Sequence, residues 1–465
     1  MSQPINPPLF FVGNYDQGIH VNAVQIANID AAFQGHTTGD LARKCMEVAP
    51  RVVHMLDEHD AVLLYAPLPE AFASYCEDLY GYRPQVYHPG EPYRDFSEPL
   101  DLVERSLRDE RLIAMLREDA KRFNWRMEPF IGHPSVFELA RKSGMSTGGF
   151  SEQAVLANKV AELNDKALFQ HFCRSRGIPT PASVHVLGWE NLMTETERQY
   201  QARGSVMLRR ARAAGGLGNC LVTDQEMDTV GASSVRQYLE IKLQPHEEWD
   251  HETVLVEPVL KILSSPTVLL RADHGRMRIV AVIDQVLKGA SYIGGNFPTG
   301  ESAEDARQLE LWALEYGTQF VLEGGEGWFD IDFGRLEDGS FVAFESNGRC
   351  TGNNHGLAVR HRLFKERANQ VHAWTNDALK VRPGTPFEQV LNQVPKDVLW
   401  CPSREDGVII TIPPGGDDQQ FSMGYVALAN STERKHELRD AMDRFAQQTY
   451  LTSLGQAVIL EARLR

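Results

Sequence analysis

The chain has 465 residues, of which 42% are hydrophobic and 24% charged, and a formal net charge of −16. That length exceeds one ordinary hydrophobic core, so two or three globular domains are expected. The acidic balance speaks against a general binder of nucleic acid or anionic membrane, whose footprint would be basic, yet it leaves room for a nucleotide, which needs only a local cluster of cations.

The N-terminus, Met1-Ser2-Gln3-Pro4-Ile5-Asn6-Pro7-Pro8, lacks the basic and apolar regions of a signal peptide, and no window approaches a membrane span. The six cysteines, at 45, 76, 173, 220, 350 and 401, form no close pairs, which suits a reducing cytoplasm and gives no zinc motif. Leu9-Phe10-Phe11-Val12-Gly13 and Ala61–Tyr65 read as buried strands, and helical periodicity runs from Leu100 to Phe123, which predicts an α/β domain over residues 1–157. A second unit begins at Leu163, where Asn164 or Asp165 caps a helix with the apolar stripe Leu168, Phe169, Phe172 and Cys173, closed by Gly177. Strands are expected at 205–208, 254–259, 268–271 and 279–283, then a helix from Ser302 to about Glu323, and one more helix over 356–380. Turn formers at Val381-Arg382-Pro383-Gly384-Thr385-Pro386 mark a break. Beyond it, strands at 407–412 and 425–429, a helix from about 433 to 450 and a final strand at 457–460 form a small C-terminal α/β unit.

Residues 329–349 carry the most chemistry. Asp338-Gly339 is a strong signal for a two-residue hairpin turn. A turn centred there sets Asp332 opposite Glu345 and Asp330 opposite Asn347, all on one face, with Phe329, Ile331 and Phe333 against Phe344 and Val342 on the other. Alternating apolar and acidic residues also fit a solvated hairpin. Carboxylates opposed across a strand pair nonetheless repel, and such a pair calls for a cation between them. Asn347 and Arg349, just past the strand, add an amide oxygen and an anion-binding guanidinium, the parts that phosphoryl transfer needs.

Upstream, Arg209, Arg210 and Arg212 lead into Ala214-Gly215-Gly216-Leu217-Gly218-Asn219, a basic strand joined to a glycine-rich loop. Backbone N–H groups of such a loop close on phosphates, although a plain hairpin turn has the same look, and neither a Walker loop nor a dinucleotide fingerprint is present. Lys166 opens its helix. Glu257 interrupts the apolar run Val254–Leu260.

This order resembles the ATP-grasp superfamily of carboxylate–amine ligases over about residues 160–380. The step of thirteen residues from Asp332 to Glu345 and of two more to Asn347 looks like the magnesium triad of D-alanine–D-alanine ligases. Gly13-Asn14, Leu163-Asn164-Asp165-Lys166, the loop 214–219 and Asn347-Gly348-Arg349-Cys350-Thr351-Gly352 look most like the pheganomycin-type peptide ligases. The resemblance implies a Rossmann-like pre-ATP-grasp domain (1–157), a two-lobed α+β ATP-grasp domain (158–380, flap lobe about 185–258) and a small C-terminal α/β domain (381–465). It implies that Lys166 and Arg209 contact ATP phosphates, that Gly215, Gly216 and Gly218 form a flap, and that Glu257 and the backbone near Val259 bind adenine. Asp332, Glu345 and Asn347 would hold two Mg²⁺ ions and Arg349 would steady the reacting carboxylate or acyl phosphate. Arg209-Arg210 stands where the family usually has lysine then proline, and Asp330 stands where D-alanine ligases have arginine. Further substrate candidates are Arg271, Gln285, Lys288 and Asn296, the last three in a polar stretch that reads equally as an exposed loop.

The expected activity is an ADP-forming ligation of an acid to an amine or peptide in the cytoplasm, in the biosynthesis of a peptide-like metabolite, with no nucleic-acid or membrane partner. The fold family adds the expectation of a homodimer. A small-molecule kinase on the same scaffold and a non-catalytic nucleotide-binding protein are the rival readings.

Overall fold

The computed structural model describes residues 22–33, 37–91, 93, 95–214, 216, 218–244, 246–273, 275–289, 291–382, 384–414 and 422–463. The expected strand at 9–13, the Gly13-Asn14 pair and Gly215 lie outside them. The described chain folds as two compact units, one built from residues 22–152, 293–299 and 350–463 and the other from 153–292 and 300–349.

The first unit opens with a five-stranded parallel sheet in the order Gln85–Tyr87, Ala61–Leu63, Ala23–Ile26, Arg126–Pro129, Ser146–Thr147. The adjoining strands Ala23–Ile26 and Ala61–Leu63 are mostly apolar and buried, as a parallel sheet covered on both faces requires, whereas Gln85, Arg126, Glu128, Ser146 and Thr147 make the other three more polar. The helical stretch 100–123 is two helices, Leu102–Leu107 and Glu110–Phe123. Asp109 divides them, its carboxylate accepting the Leu112 N–H at 2.9 Å as an N-cap.

The expectation of one helix over 356–380 is corrected. Asn354–Phe364 is helical, Lys365–Gln370 is a 3₁₀ turn and His372–Lys380 is a strand. Alternate burial of Ala373, Thr375, Asp377 and Leu379 shows the period of two that identifies it. This strand pairs with Ser422–Ala429, which pairs with Gly407–Ile412, and Phe387, Val390, Ile410 and Tyr425 share one core with Val24, Val62 and Leu116. The final strand expected at 457–460 is also corrected, since the helix Thr432–Arg463 runs through it. A four-residue apolar run fits either structure by periodicity alone. Among the described residues no helix is long and apolar enough to cross a membrane.

The second unit holds two antiparallel sheets. Val184–Val186, Val254–Glu257, Val206–Arg210 and Asn219–Val222 form the smaller one, with a core of its own around Leu192, Tyr238 and Trp249. The larger sheet sets Ile262–Ser264, Gly327–Leu336, Pro266–Asp273 and Arg276–Lys288 side by side, and Phe341–Asn347 pairs with Gly327–Leu336. Helix Ala303–Leu322 starts where expected, with Ser302 Oγ accepting the Asp305 N–H at 3.1 Å. It packs on the apolar face of the hairpin, where Phe320 stacks on Phe329 at 4.1 Å between centroids.

The first unit buries two imidazoles. His54 is fully buried with Nδ1 against Tyr80 Oη at 2.6 Å, and His355 lies 3.4 Å from Asp377, which also takes Arg51 at 2.5 Å. Burial holds both histidines below their usual pKa of 6.5, helped at His54 by the charges of His355 and Arg362, while at His355 Asp377 opposes and Arg51 adds. In the unfolded chain they protonate near the usual value, so their stabilising contribution is complete above it and is lost as the pH falls below it. Buried Asp30, pushed up to about 7, works in the opposite sense. A variant comparison isolates the imidazoles. Between about pH 7.5 and about pH 5.5, the His54→Gln/His355→Gln double variant is expected to lose less of its urea-unfolding midpoint than the parent chain.

Candidate active site

The hairpin brings Asp332 opposite Glu345 and Asp330 opposite Asn347, in the expected register. It does so by a different route. Leu336 N–H bonds Ser340 O at 2.8 Å, so the connection is the three residues 337–339 rather than the two-residue turn expected from Asp338-Gly339. A bulge then restores the register, because Asp332 pairs with Glu345 while Phe333 pairs with Ala343, leaving Phe344 as the extra residue. Phe344 therefore leaves the core face assigned to it and lies against Gly334, where a Cβ would meet its ring at 2.5 Å. A glycine inside a strand is the sequence signal of such a close approach.

The two opposed carboxylates are treated differently. Lys166 Nζ lies 3.2 Å and Arg209 Nη1 3.8 Å from Glu345 Oε2. Burial works against the charged form of Glu345, but Lys166, Arg209 and Arg349 together hold its pKa below the usual glutamate value. The donors to Asp332 are neutral, Gln285 Nε2 at 2.5 Å, Asn347 Nδ2 at 3.1 Å and the Thr267 hydroxyl. Burial and the negative charges of Asp330 and Glu345 push its pKa well up. A carboxylate in that condition fits a cation. Among the described residues no group of three or more His, Cys, Asp and Glu could hold a metal, and the residues that could serve a cation here are two carboxylates, Asp332 and Glu345, with the Asn347 amide beside them. That set fits magnesium, which takes one or two carboxylates and completes its shell with phosphate and water.

Arg209 and Glu257 form a buried pair on neighbouring strands, with Nε to Oε2 at 2.7 Å and Nη2 to Oε1 at 3.1 Å. Ser183 Oγ and Gln170 Nε2 also donate to Glu257, at 2.5 and 2.8 Å. Burial opposes its charge, yet Arg209 and these donors hold its pKa below the usual range. At 2% exposure and with four donors, Glu257 as placed anchors Arg209 rather than facing a base. Val259 just beyond it is 41% exposed. The glycine-rich segment is the loop of the hairpin Val206–Arg210/Asn219–Val222, closed by Arg210 N–H to Gly218 O at 2.8 Å. Gly218 admits no side chain, since a Cβ would meet that of Ala213 at 2.2 Å. Gly216 lies in the same loop. Lys166 Nζ donates to Ala213 O at 2.5 Å and Arg212 pairs with Asp165 at 3.0 Å, which ties the loop to the helix start.

Asp330 is buried beside Asp332 on the same face. Gln285 and Lys288, in the polar stretch that reads equally as an exposed loop, are on the strand Arg276–Lys288; Gln285 contacts Asp332, and Lys288 is exposed at the strand end. Arg271 is on the same sheet, bonded to Asp273 at 2.9 Å with its guanidinium over Trp328. Asn296 belongs to the first unit, where it accepts from Lys435. The structure adds residues that no motif marks: Asn164 as more than a cap, with Gln170, Ser183 and Phe344. Asn164 Oδ1 accepts Gly348 N–H at 3.0 Å and Arg349 Nη1 at 2.9 Å.

Residues 49–145 match the family model of the pre-ATP-grasp domain. The biotin carboxylase domain of Hydrogenobacter thermophilus 2-oxoglutarate carboxylase superposes with a TM-score of 0.56 at 13% identity, covering 90% of this chain and 89% of that one. The N5-carboxyaminoimidazole ribonucleotide synthetase of Thermus thermophilus gives 0.52 at 14% identity, over 86% and 96%. Residues 49–145 are thus similar to a pre-ATP-grasp domain, and the chain shares its fold with these carboxylase and synthetase structures. It is also homologous to the L-propargylglycine–L-glutamate ligase of Streptantibioticus cattleyicolor, 30% identical over 292 residues. The match takes in 58% of this chain and spans 57% of that relative's length. In this fold the acidic hairpin, the Lys166 helix start and the glycine loop all sit in one unit.

Two expectations follow from the packing. Glu257→Leu strands a buried guanidinium and is expected to cost about 3 kcal/mol or more in urea unfolding, whereas Glu257→Gln keeps acceptor and donor groups and costs less. Gly334→Ala drives a methyl group into the Phe344 ring and is expected to cost about 1–3 kcal/mol by the same measurement.

Proposed function

We propose that the protein is an ADP-forming ligase that joins a carboxylate, from an amino acid or peptide, to an amine through an acyl phosphate. The observation that carries this reading is the opposed pair Asp332 and Glu345 with Asn347 beside them and Lys166, Arg209 and Arg349 gathered on the Glu345 side. Two Mg²⁺ ions held by Asp332, Glu345 and Asn347 would offset the phosphate charge when bound. Lys166 and Arg209 meet the phosphates of ATP, the loop with Gly216 and Gly218 closes over them, and the backbone near Val259 meets adenine. The acid's carboxylate oxygen bonds to the γ-phosphorus as the bond to ADP breaks. The amine nitrogen then bonds to the acyl carbon, phosphate departs, and the amine's proton goes to solvent. Arg349 holds the negative oxygens of the acid and of the acyl phosphate through both steps.

Arg271, Gln285 and Lys288 are proposed to border the acid and amine, with buried Asp330 setting the charge of that border. The name of the homologous ligase supports two amino acids as substrates and a role in making a specialised peptide-like metabolite.

The test is ATP turnover with amino acids and short peptides offered in pairs, reading ADP and product mass. An amide with one ADP per bond is expected. A phosphorylated product without amide would establish a kinase instead, and ATP binding without turnover a non-catalytic protein. Glu345→Ala and Asp332→Asn are expected to lower ADP release by about 100-fold or more. Unchanged release in Glu345→Ala would remove the metal-site assignment.

A further inference from the structure

Asn164 stands at the joint between the helices Lys159–Leu163 and Lys166–Ser175. Its backbone N–H reaches Val160 O at 3.2 Å, and its side-chain Nδ2 donates to the same carbonyl at 2.6 Å. With both ends of the residue tied to one turn of helix, Oδ1 has a fixed direction. The helix that follows does not need it, since Asp165 Oδ1 already accepts the Ala167 and Leu168 N–H groups at 3.0 and 3.2 Å. Instead Oδ1 accepts from Gly348 N–H and Arg349 Nη1 at once, fixing a backbone and a guanidinium of the same segment. We infer that Asn164 is a positioning residue that aims Arg349 at the reacting carboxylate, and that it does so as a neutral acceptor that adds no negative charge to the guanidinium. Aspartate in its place would bring a negative charge to the guanidinium and set an acceptor against the Val160 carbonyl, two acceptors with no proton between them.

This inference rests on the ligase reading, and its test separates the two. ADP release is measured for the parent chain, Asn164→Ala, Asn164→Asp, Arg349→Ala and the Asn164→Ala/Arg349→Ala double variant, and amide exchange is followed at Gly348. Asn164→Ala is expected to lower kcat by about 10- to 100-fold with KM for ATP within about threefold, and to add less than about twofold once Arg349 is gone. Asn164→Asp, nearly the same shape, is expected to fold like the parent and still lose kcat. The Gly348 amide is expected to exchange faster in Asn164→Ala. An equal loss with and without Arg349, or an unchanged Gly348 amide, overturns the inference. If the parent chain releases no ADP with any pair, the ligase reading fails, and Gly348 exchange alone then decides whether Asn164 holds the segment.

Discussion

The opposition of Asp332 and Glu345 across neighbouring strands is the constraint on which the rest of this unit depends. Like charges directly across a strand pair destabilise it, and partial burial sharpens the cost. The chain answers on one side only. Glu345 is surrounded by Lys166, Arg209 and Arg349 and is held ionised, whereas Asp332 gets amide donors and the negative charge of Asp330. The protein thus neutralises one carboxylate itself and leaves the other to be met by a proton or by a cation. Under the proposed ligase reading, that asymmetry is a physical reason for a bound cation to stabilise the hairpin as well as to serve chemistry.

Four consecutive residues connect this pair to everything near it. Leu163 O accepts Ser346 Oγ at 2.5 Å and Tyr316 Oη at 3.2 Å, which fixes the strand of Glu345. Asn164 holds Gly348 and Arg349, Asp165 caps the helix and pairs with Arg212, and Lys166 reaches Glu345 and the Ala213 carbonyl. One stretch of chain therefore sets the distances among the strand of Glu345, the Arg349 guanidinium and the glycine loop. A shift of its backbone would move all three together.

The sequence made the site more legible than the fold around it, and the reason lies in how far each signal reaches. Alternation and a turn motif are local, so they set Asp332 against Glu345 correctly while implying a two-residue turn and no bulge. The real three-residue turn and the bulge at Phe344 shift the register by one in opposite senses and cancel. Gly334 was the visible clue. The roles of Gln170, Ser183 and Asn164 depend on partners 74 to 185 residues apart or reached across strands, which no local pattern encodes. Likewise, 372–380 reads as helix when taken with the helix before it, and only its sheet partner at 422–429 makes its alternation decisive.

The bulge also explains why arginine stands at 209. The guanidinium carbon lies 5.3 Å from the Phe344 ring centre, on a ring placed there only because Phe344 is the extra residue and Gly334 leaves it room. Its edge meets Glu257 through two parallel hydrogen bonds, and its remaining nitrogen points to Glu345. A planar fork with a π face can satisfy a carboxylate at its edge, an aromatic ring on its face and a second carboxylate at its tip together; an ammonium group is a point charge and cannot. Lysine at 209 would leave the Glu257 carboxylate short of a donor in a buried place and Phe344 without its cation. Glu257, Arg209, Phe344 and Gly334 are thus one device, and replacing any member alone removes the reason for the others.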